Sequence, residues 1–182
     1  MVTSSENENY ELSIFGKMKK ILTSPTESFQ IIESEEGINK ATIYFLVLFS
    51  FQHITSTILS YLLDPNTFST VSFIISWISA VIGIVLGAAI AHLFVLLVGG
   101  KGGFTGTFKA IAYSATPLYL FSPFLVLATP FFQSIIILAI FGLLLLFALW
   151  STYLTFKGYK ILHKLTTGRA LLAVLLPVII LI

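Results

Sequence analysis

From Ala41 onward the chain carries five long apolar segments, at 41–63, 71–98, 110–128, 131–156 and 170–182, and none of them contains Asp, Glu, Lys or Arg. About 20 apolar residues in a helix cross the roughly 30 Å hydrocarbon core of a bilayer, so the first four are long enough to span. A soluble domain carries roughly 25% charged residues; here the figure is 10%, with 57% hydrophobic. Lipid is therefore the solvent, and a backbone in lipid must satisfy its own hydrogen bonds. The expectation is an all-α fold, a polytopic membrane helix bundle of about five transmembrane helices preceded by short cytoplasmic interfacial helices.

Two of the segments have unusual lengths. The second covers residues 71–98, about 42 Å of helix, so it must tilt, bend or project beyond the bilayer. The fifth, 170–182, reaches only about 20 Å. It thins the bilayer, starts earlier near Thr167, or fails to cross.

The ten Lys and Arg residues divide cleanly among the connections. Lys17, Lys19, Lys20 and Lys40 precede the first span; Lys101 and Lys109 lie between the second and third; Lys157, Lys160, Lys164 and Arg169 lie between the fourth and fifth. The other two connections have none. By the positive-inside rule the N-terminus is cytoplasmic and, if the fifth helix crosses, the C-terminus is outside. The first 30 residues lack the apolar core of a cleaved signal peptide, so the first span directs insertion and is retained. The net charge of +2 is spread too thinly for a nucleic-acid surface. The absence of cysteine excludes disulfides, thiolate metal sites and Cys nucleophiles.

Ahead of the bundle, residues 1–13 read as a disordered acidic tail with Glu6, Glu8 and Glu11 among Ser and Asn. Residues 14–37 read as interfacial amphipathic helices, and 38–182 as the transmembrane bundle. Ile14, Phe15, Met18, Ile21 and Leu22 share a helical face beside Lys17, Lys19 and Lys20, which suits either the membrane interface or the protein's own surface. A second short helix should begin at Pro25, capped by Ser24 with Glu27 completing a capping box, and run to about Glu36 before Gly37. Glu33, Glu35 and Glu36 at its negative end are unfavourable. Asp64-Pro65-Asn66 signals a turn, with Ser69 or Thr70 capping the helix that follows.

Within the spans, Ser50, His53, Thr57 and Ser60 form a polar stripe that either walls a wet cavity or bonds to neighbouring helices. Ser79, Gly83, Gly87 and Ala91, four residues apart, form a ridge of small residues for close helix packing, within the chain or against a second copy. His53 and His92 lie at unequal depths, which disfavours a shared metal. Pro117 falls near mid-membrane and kinks the third span. Gly99, Gly100, Lys101, Gly102 and Gly103 lack the spacing of a phosphate-binding loop and read as a tight cytoplasmic turn. Neither catalytic nor cofactor-binding nor metal-ligating residues are expected, because no acid, base and nucleophile converge.

Three stretches give the chain a family likeness: Leu22, Pro25 and Phe29; the run Gly99-Gly100-Lys101-Gly102-Gly103-Phe104 leading to Ala112-Tyr113 and Pro117; and Tyr153 to Lys160 followed by Gly168-Arg169-Ala170 and Pro177. In these it resembles the YIP family of membrane proteins, named for binding Ypt/Rab GTPases in eukaryotes and found in shorter forms in prokaryotes. The likeness implies a five-helix membrane domain with a cytoplasmic N-terminus, in the cell membrane of a prokaryote. GTPase binding is not carried over, because the long cytoplasmic region of many eukaryotic members is nearly missing here. The expected function is a non-enzymatic scaffold whose partners are the lipid bilayer, anionic lipids and membrane proteins, with a homo-oligomer open. The alternative is a channel or transporter for a small neutral solute.

Overall fold

The computed structural model describes residues 13–131 and 136–181. The acidic tail, apart from Ser13, lies outside them. Among the described residues eight α-helices follow one another: α1 (Ile14–Thr23), α2 (Pro25–Ser34), α3 (Asn39–Leu63), α4 (Thr70–Leu97), α5 (Gly103–Ser114), α6 (Thr116–Phe121), α7 (Ile136–Leu162) and α8 (Thr167–Leu181). A 3-10 turn, Pro65–Thr67, joins α3 to α4, and a longer 3-10 segment, Ser122–Phe131, follows α6. No strand occurs among the described residues.

Local chemistry accounts for most boundaries. Ser13 Oγ accepts from the Gly16 amide at 3.1 Å and caps α1. Asp64 Oδ1 accepts from the Asn66 amide at 3.0 Å, closing the turn. Ser69 Oγ accepts from the Ser72 amide at 3.3 Å and caps α4. Pro25 does open α2, but the Ser24 side chain makes no capping bond. Glu27 lies 3.6 Å from Lys20 instead, because the turn from α1 brings that ammonium close. Gly37, at φ +65°, lets the chain swing from α2 into α3.

Among the described residues four helical stretches are long and apolar enough to cross a membrane: Asn39–Leu63, Thr70–Leu97, Gly103–Leu127 and Leu138–Leu162. α8 starts at Thr167, the earlier of the starts the sequence allowed, yet its 15 residues reach only about 22 Å. The third span needs the largest revision. Its helix starts at Gly103 rather than Ala110, because the glycine turn delivers the chain directly into α5. Lys109, placed by sequence in a loop, is thereby a helical residue only 4% exposed.

The core is concentrated at one end. α3 buries Ala41, Tyr44, Phe45, Leu48 and Phe49 from its first half, α4 only Ala88 and Val95 from its second, and α7 Leu154, Tyr159 and Leu162 near its close. The chain direction of these helices puts all of them towards the end that carries the lysines. Towards the other end, leucines and isoleucines such as Ile58, Ile74, Leu138 and Leu145 stand exposed. In water such a surface would drive aggregation; in lipid it is the ordinary exterior.

Candidate functional site at the lysine-rich end

Two polar clusters hold the lysine-rich end together. The first seats α1 and α2 on the bundle. Their apolar residues Met18, Ile21, Phe29 and Ile32 are buried within the protein, so the amphipathic face of α1 serves its own chain and Phe15 is left 79% exposed. Phe29 fits because Gly158 of α7 has no side chain: a Cβ there would stand 3.0 Å from Phe29 Cε1 and 2.8 Å from Ala110 Cβ. Around this contact the charges meet. Lys17 pairs with Glu35 Oε1, and the Tyr113 hydroxyl donates to Glu35 Oε2 at 2.8 Å. Lys109 Nζ donates to the Ile32 carbonyl at 3.2 Å and to that of Glu35.

This arrangement answers the conflict in α2. Lys109 places its ammonium on the carbonyls where the helix ends, at the negative pole of its dipole, joining the Glu35 amide on the Ile32 oxygen. Lys164 reaches Glu33 at 3.7 Å. Thus lysines from three separate parts of the chain compensate the acidic end of one short helix. Both carboxylate oxygens of Glu35 are engaged in holding the α1–α2 hairpin. A cavity of about 10 Å³ beside Lys17, Lys20 and Ser28 admits one water at most.

The second cluster surrounds His163, which is 0% exposed. The Gly102 amide donates to His163 Nδ1 at 3.0 Å, so that nitrogen is bare and a neutral ring carries its proton on Nε2. Nε2–H then donates to Thr107 Oγ1 at 3.0 Å, and the same Thr107 oxygen lies 2.8 Å from His92 Nδ1. Burial pushes His163 down to about 4, and the nearby His92 adds to the effect. A proton on Nε2 leaves no lone pair there for a metal shared with His92.

The glycine turn is built around this ring. A Cβ at Gly102 would lie 2.2 Å from the Leu162 carbonyl oxygen, and one at Gly100 would lie 2.4 Å from Val95 Cγ1. Gly99 and Gly103 have φ of +83° and +62°. The amides of Gly99, Gly100 and Lys101 donate to the carbonyls of Leu96, Val95 and His163. With Gly102 on the imidazole, these N–H groups are spent inside the chain and do not cradle a phosphate. Lys101 itself is exposed.

The remaining candidates lie apart from this end. Trp77 Nε1 donates to Ser50 Oγ at 3.3 Å. His53 Nε2 meets Ser76 Oγ at 3.1 Å, and Thr57 bonds back to the His53 carbonyl. This part of the stripe therefore engages α4 and its own backbone, while Ser60 is partly exposed. On α4, Ser79, Gly83 and Gly87 are exposed and Ala91 is half-buried; a Cβ at Gly83 or Gly87 would meet nothing within 4 Å. The packing expected there within the chain is not made, because α4 turns Ala80, Ile84 and Ala88 inward instead. Pro117 opens α6. Its missing N–H leaves the Tyr113 carbonyl to accept from Thr116 Oγ1 at 2.6 Å, and the Tyr44 hydroxyl closes on the same Thr116 oxygen at 2.6 Å.

Sequence reasoning missed His163, the burial of Lys109 and the role of Glu35. A faint signal existed for Tyr113, which falls one helical turn after Lys109 and so shares its face. His163 had none, since its partners lie 56 and 61 residues away. Among the described residues no three His, Asp or Glu side chains converge on a metal. The model of one protein family, described as the Yip1 domain, matches residues 19–182. No curated protein and no solved structure matches the chain.

Proposed function

The chain belongs to the Yip1 domain family, and from that premise we propose that it is a non-enzymatic membrane scaffold whose lysine-rich face, turned to the cytoplasm, binds protein partners and anionic lipids. One observation carries the reading: this face displays more positive charge than its own fold uses. Lys17, Lys20 and Lys164 are paired with Glu35, Glu27 and Glu33, yet Lys19, Lys101, Lys160 and Arg169 remain exposed. Each such cation near an anionic leaflet contributes about 1 kcal/mol. Phe15, one helical turn before Lys19, adds an apolar contact suited to the headgroup boundary. Small-solute passage is the weaker reading, since Ser50 and His53 face α4.

Photo-crosslinking residues placed singly at Phe15, Lys19 and Lys101 in native membranes test it. Reproducible protein or anionic-lipid adducts are expected there and not at Ser79. If no adduct forms and a Lys19→Gln, Lys101→Gln, Arg169→Gln variant behaves as the parent does, the scaffold reading fails.

A further inference from the structure

Gly102, His163, Thr107 and His92 form a chain of hydrogen bonds that ties the turn between α4 and α5 to the end of α7. Each link depends on where the protons sit. We propose that this chain is an acid-sensitive latch: neutral His163 holds the turn of residues 99–103 in place, and protonation of His163 releases it.

The geometry supplies the reason. A proton added to Nδ1 would face the Gly102 N–H donor across 3.0 Å, setting donor against donor. The ring has no open space to turn into, because the backbones of Gly100 and Gly102 lie against it; a Cβ on either would stand 3.0 or 3.1 Å from Nδ1. Its charged form would also lack a counter-ion. α4 presents His92, with ring centroids 6.2 Å apart, and α7 presents Tyr159 edge-on at 5.9 Å. α5 presents the Thr107 hydroxyl, and the turn presents the amides of Lys101 and Gly102. At the start of α8 the Arg169 guanidinium lies over Gly99, 3.4 Å from where a Cβ would stand. Lys164, next in the chain, points to Glu33. None of these facing groups is anionic, and a protonated His92 would add repulsion.

The sign of the pH dependence follows. The latched ring binds its proton with a pKa of about 4, against an ordinary 6.5. A released turn admits water and restores the ordinary affinity. The latch is therefore fully effective above about pH 6.5 and weakens as pH falls. The released-to-latched ratio rises about tenfold per pH unit down to about pH 4, a total near 300-fold, and then levels. This behaviour does not depend on what the face binds.

The chain has no cysteine, so Lys101→Cys accepts a single nitroxide label on the full-length protein in lipid nanodiscs. Between pH 7.5 and pH 4.5 a mobile spectral component should grow in the otherwise unchanged protein. It should not grow when His163→Asn is added, a variant that keeps every carboxylate titrating in the same range. Nitrogen-15 histidine spectra of the unlabelled protein give a second reading without substitution: at pH 7.5 His163 should show a bare Nδ1 and a protonated Nε2. A label equally immobile at both pH values, the same transition in the His163→Asn protein, or a protonated Nδ1 at neutral pH would each overturn the latch.

Discussion

At the scale of single residues, the lysine-rich end is governed by what glycine leaves out and where one lysine goes. Gly102→Ala would drive a methyl into the Leu162 carbonyl at 2.2 Å, a backbone contact that cannot move aside, so a loss of about 2–3 kcal/mol is expected. Gly103→Ala meets nothing within 4 Å and costs only its φ of +62°, about 1–2 kcal/mol. Gly83→Ala and Gly87→Ala should leave stability unchanged or raise it by up to about 1 kcal/mol, since both positions are open and alanine is the better residue inside a helix. Thermal unfolding of the four variants in one detergent checks the ranking, and a large loss at Gly83 would mean that α4 packs there after all. Lys109 is the contrasting case. Lys109→Met strips the donor from the Ile32 and Glu35 carbonyls beside the acidic end of α2. A loss of about 1–3 kcal/mol in the same assay is expected, because the Glu35 carbonyl loses its donor while the Ile32 carbonyl keeps only the Glu35 amide at 3.2 Å. The acidic end of α2 was legible in the sequence as a local conflict. Its resolution was not, because a lysine at the edge of an apolar run reads as exposed until its neighbours in space are known.

At the scale of elements, α1 and α2 behave as a hairpin held by apolar burial and fastened by charge. Glu35→Gln removes the partner of Lys17 and weakens the acceptor of the Tyr113 hydroxyl. The hairpin should then detach locally while α3 to α8 stay folded, because α2 buries only Ser28, Phe29 and Ile32. Trypsin cleavage after Lys17, Lys19 or Lys20 should rise roughly tenfold or more, as a loss of about 1.4 kcal/mol or more in docking implies. Unchanged cleavage would show that the ion pair adds nothing to docking. The break between α5 and α6 offers a sharper test of cause. Thr116 Oγ1 fills the acceptor that Pro117 exposes and also receives Tyr44. Thr116→Val should therefore cost about 1–3 kcal/mol. In a Pro117→Ala background the cost should shrink, because the substituted alanine restores an N–H for the Tyr113 carbonyl. A double-mutant cycle by chemical denaturation measures this coupling. Sequence showed the proline and the break it imposes only as a missing donor; which hydroxyls would replace it depends on Tyr44 of α3, 72 residues away in the chain.

At the scale of the molecule, solvation was legible and adjacency was not. The apolar runs give the spans because each side chain reports its preference for lipid by itself. The contacts among Lys17, Glu35, Lys109 and Tyr113 depend on how the helices pack, which no local pattern records. The same division governs orientation. At the lysine-rich end the ten Lys and Arg residues face only Glu27, Glu33, Glu35 and Glu36 among the described residues, whereas the opposite turn carries Asp64 and no cation. Pairing within the fold neutralises part of this excess but moves none of it across the bilayer, so the inequality that sets insertion persists in the folded protein. The expected topology places Lys101 and Thr166 in the cytoplasm and Asn66 outside. Because no native thiol interferes, three single variants read it directly. Asn66→Cys should react with a membrane-impermeant maleimide on intact cells, whereas Lys101→Cys and Thr166→Cys should react only after permeabilisation. Asn66 suits the test because it sits in an exposed 3-10 turn, and Thr166 because it is exposed just before α8. Lys101 and Thr166 flank the turn and the end of α7 that meet at His163, so they must label together. The reverse pattern would turn the lysine-rich face outward and remove the cytoplasmic scaffold with it, while leaving the His163 latch to be judged by its own titration.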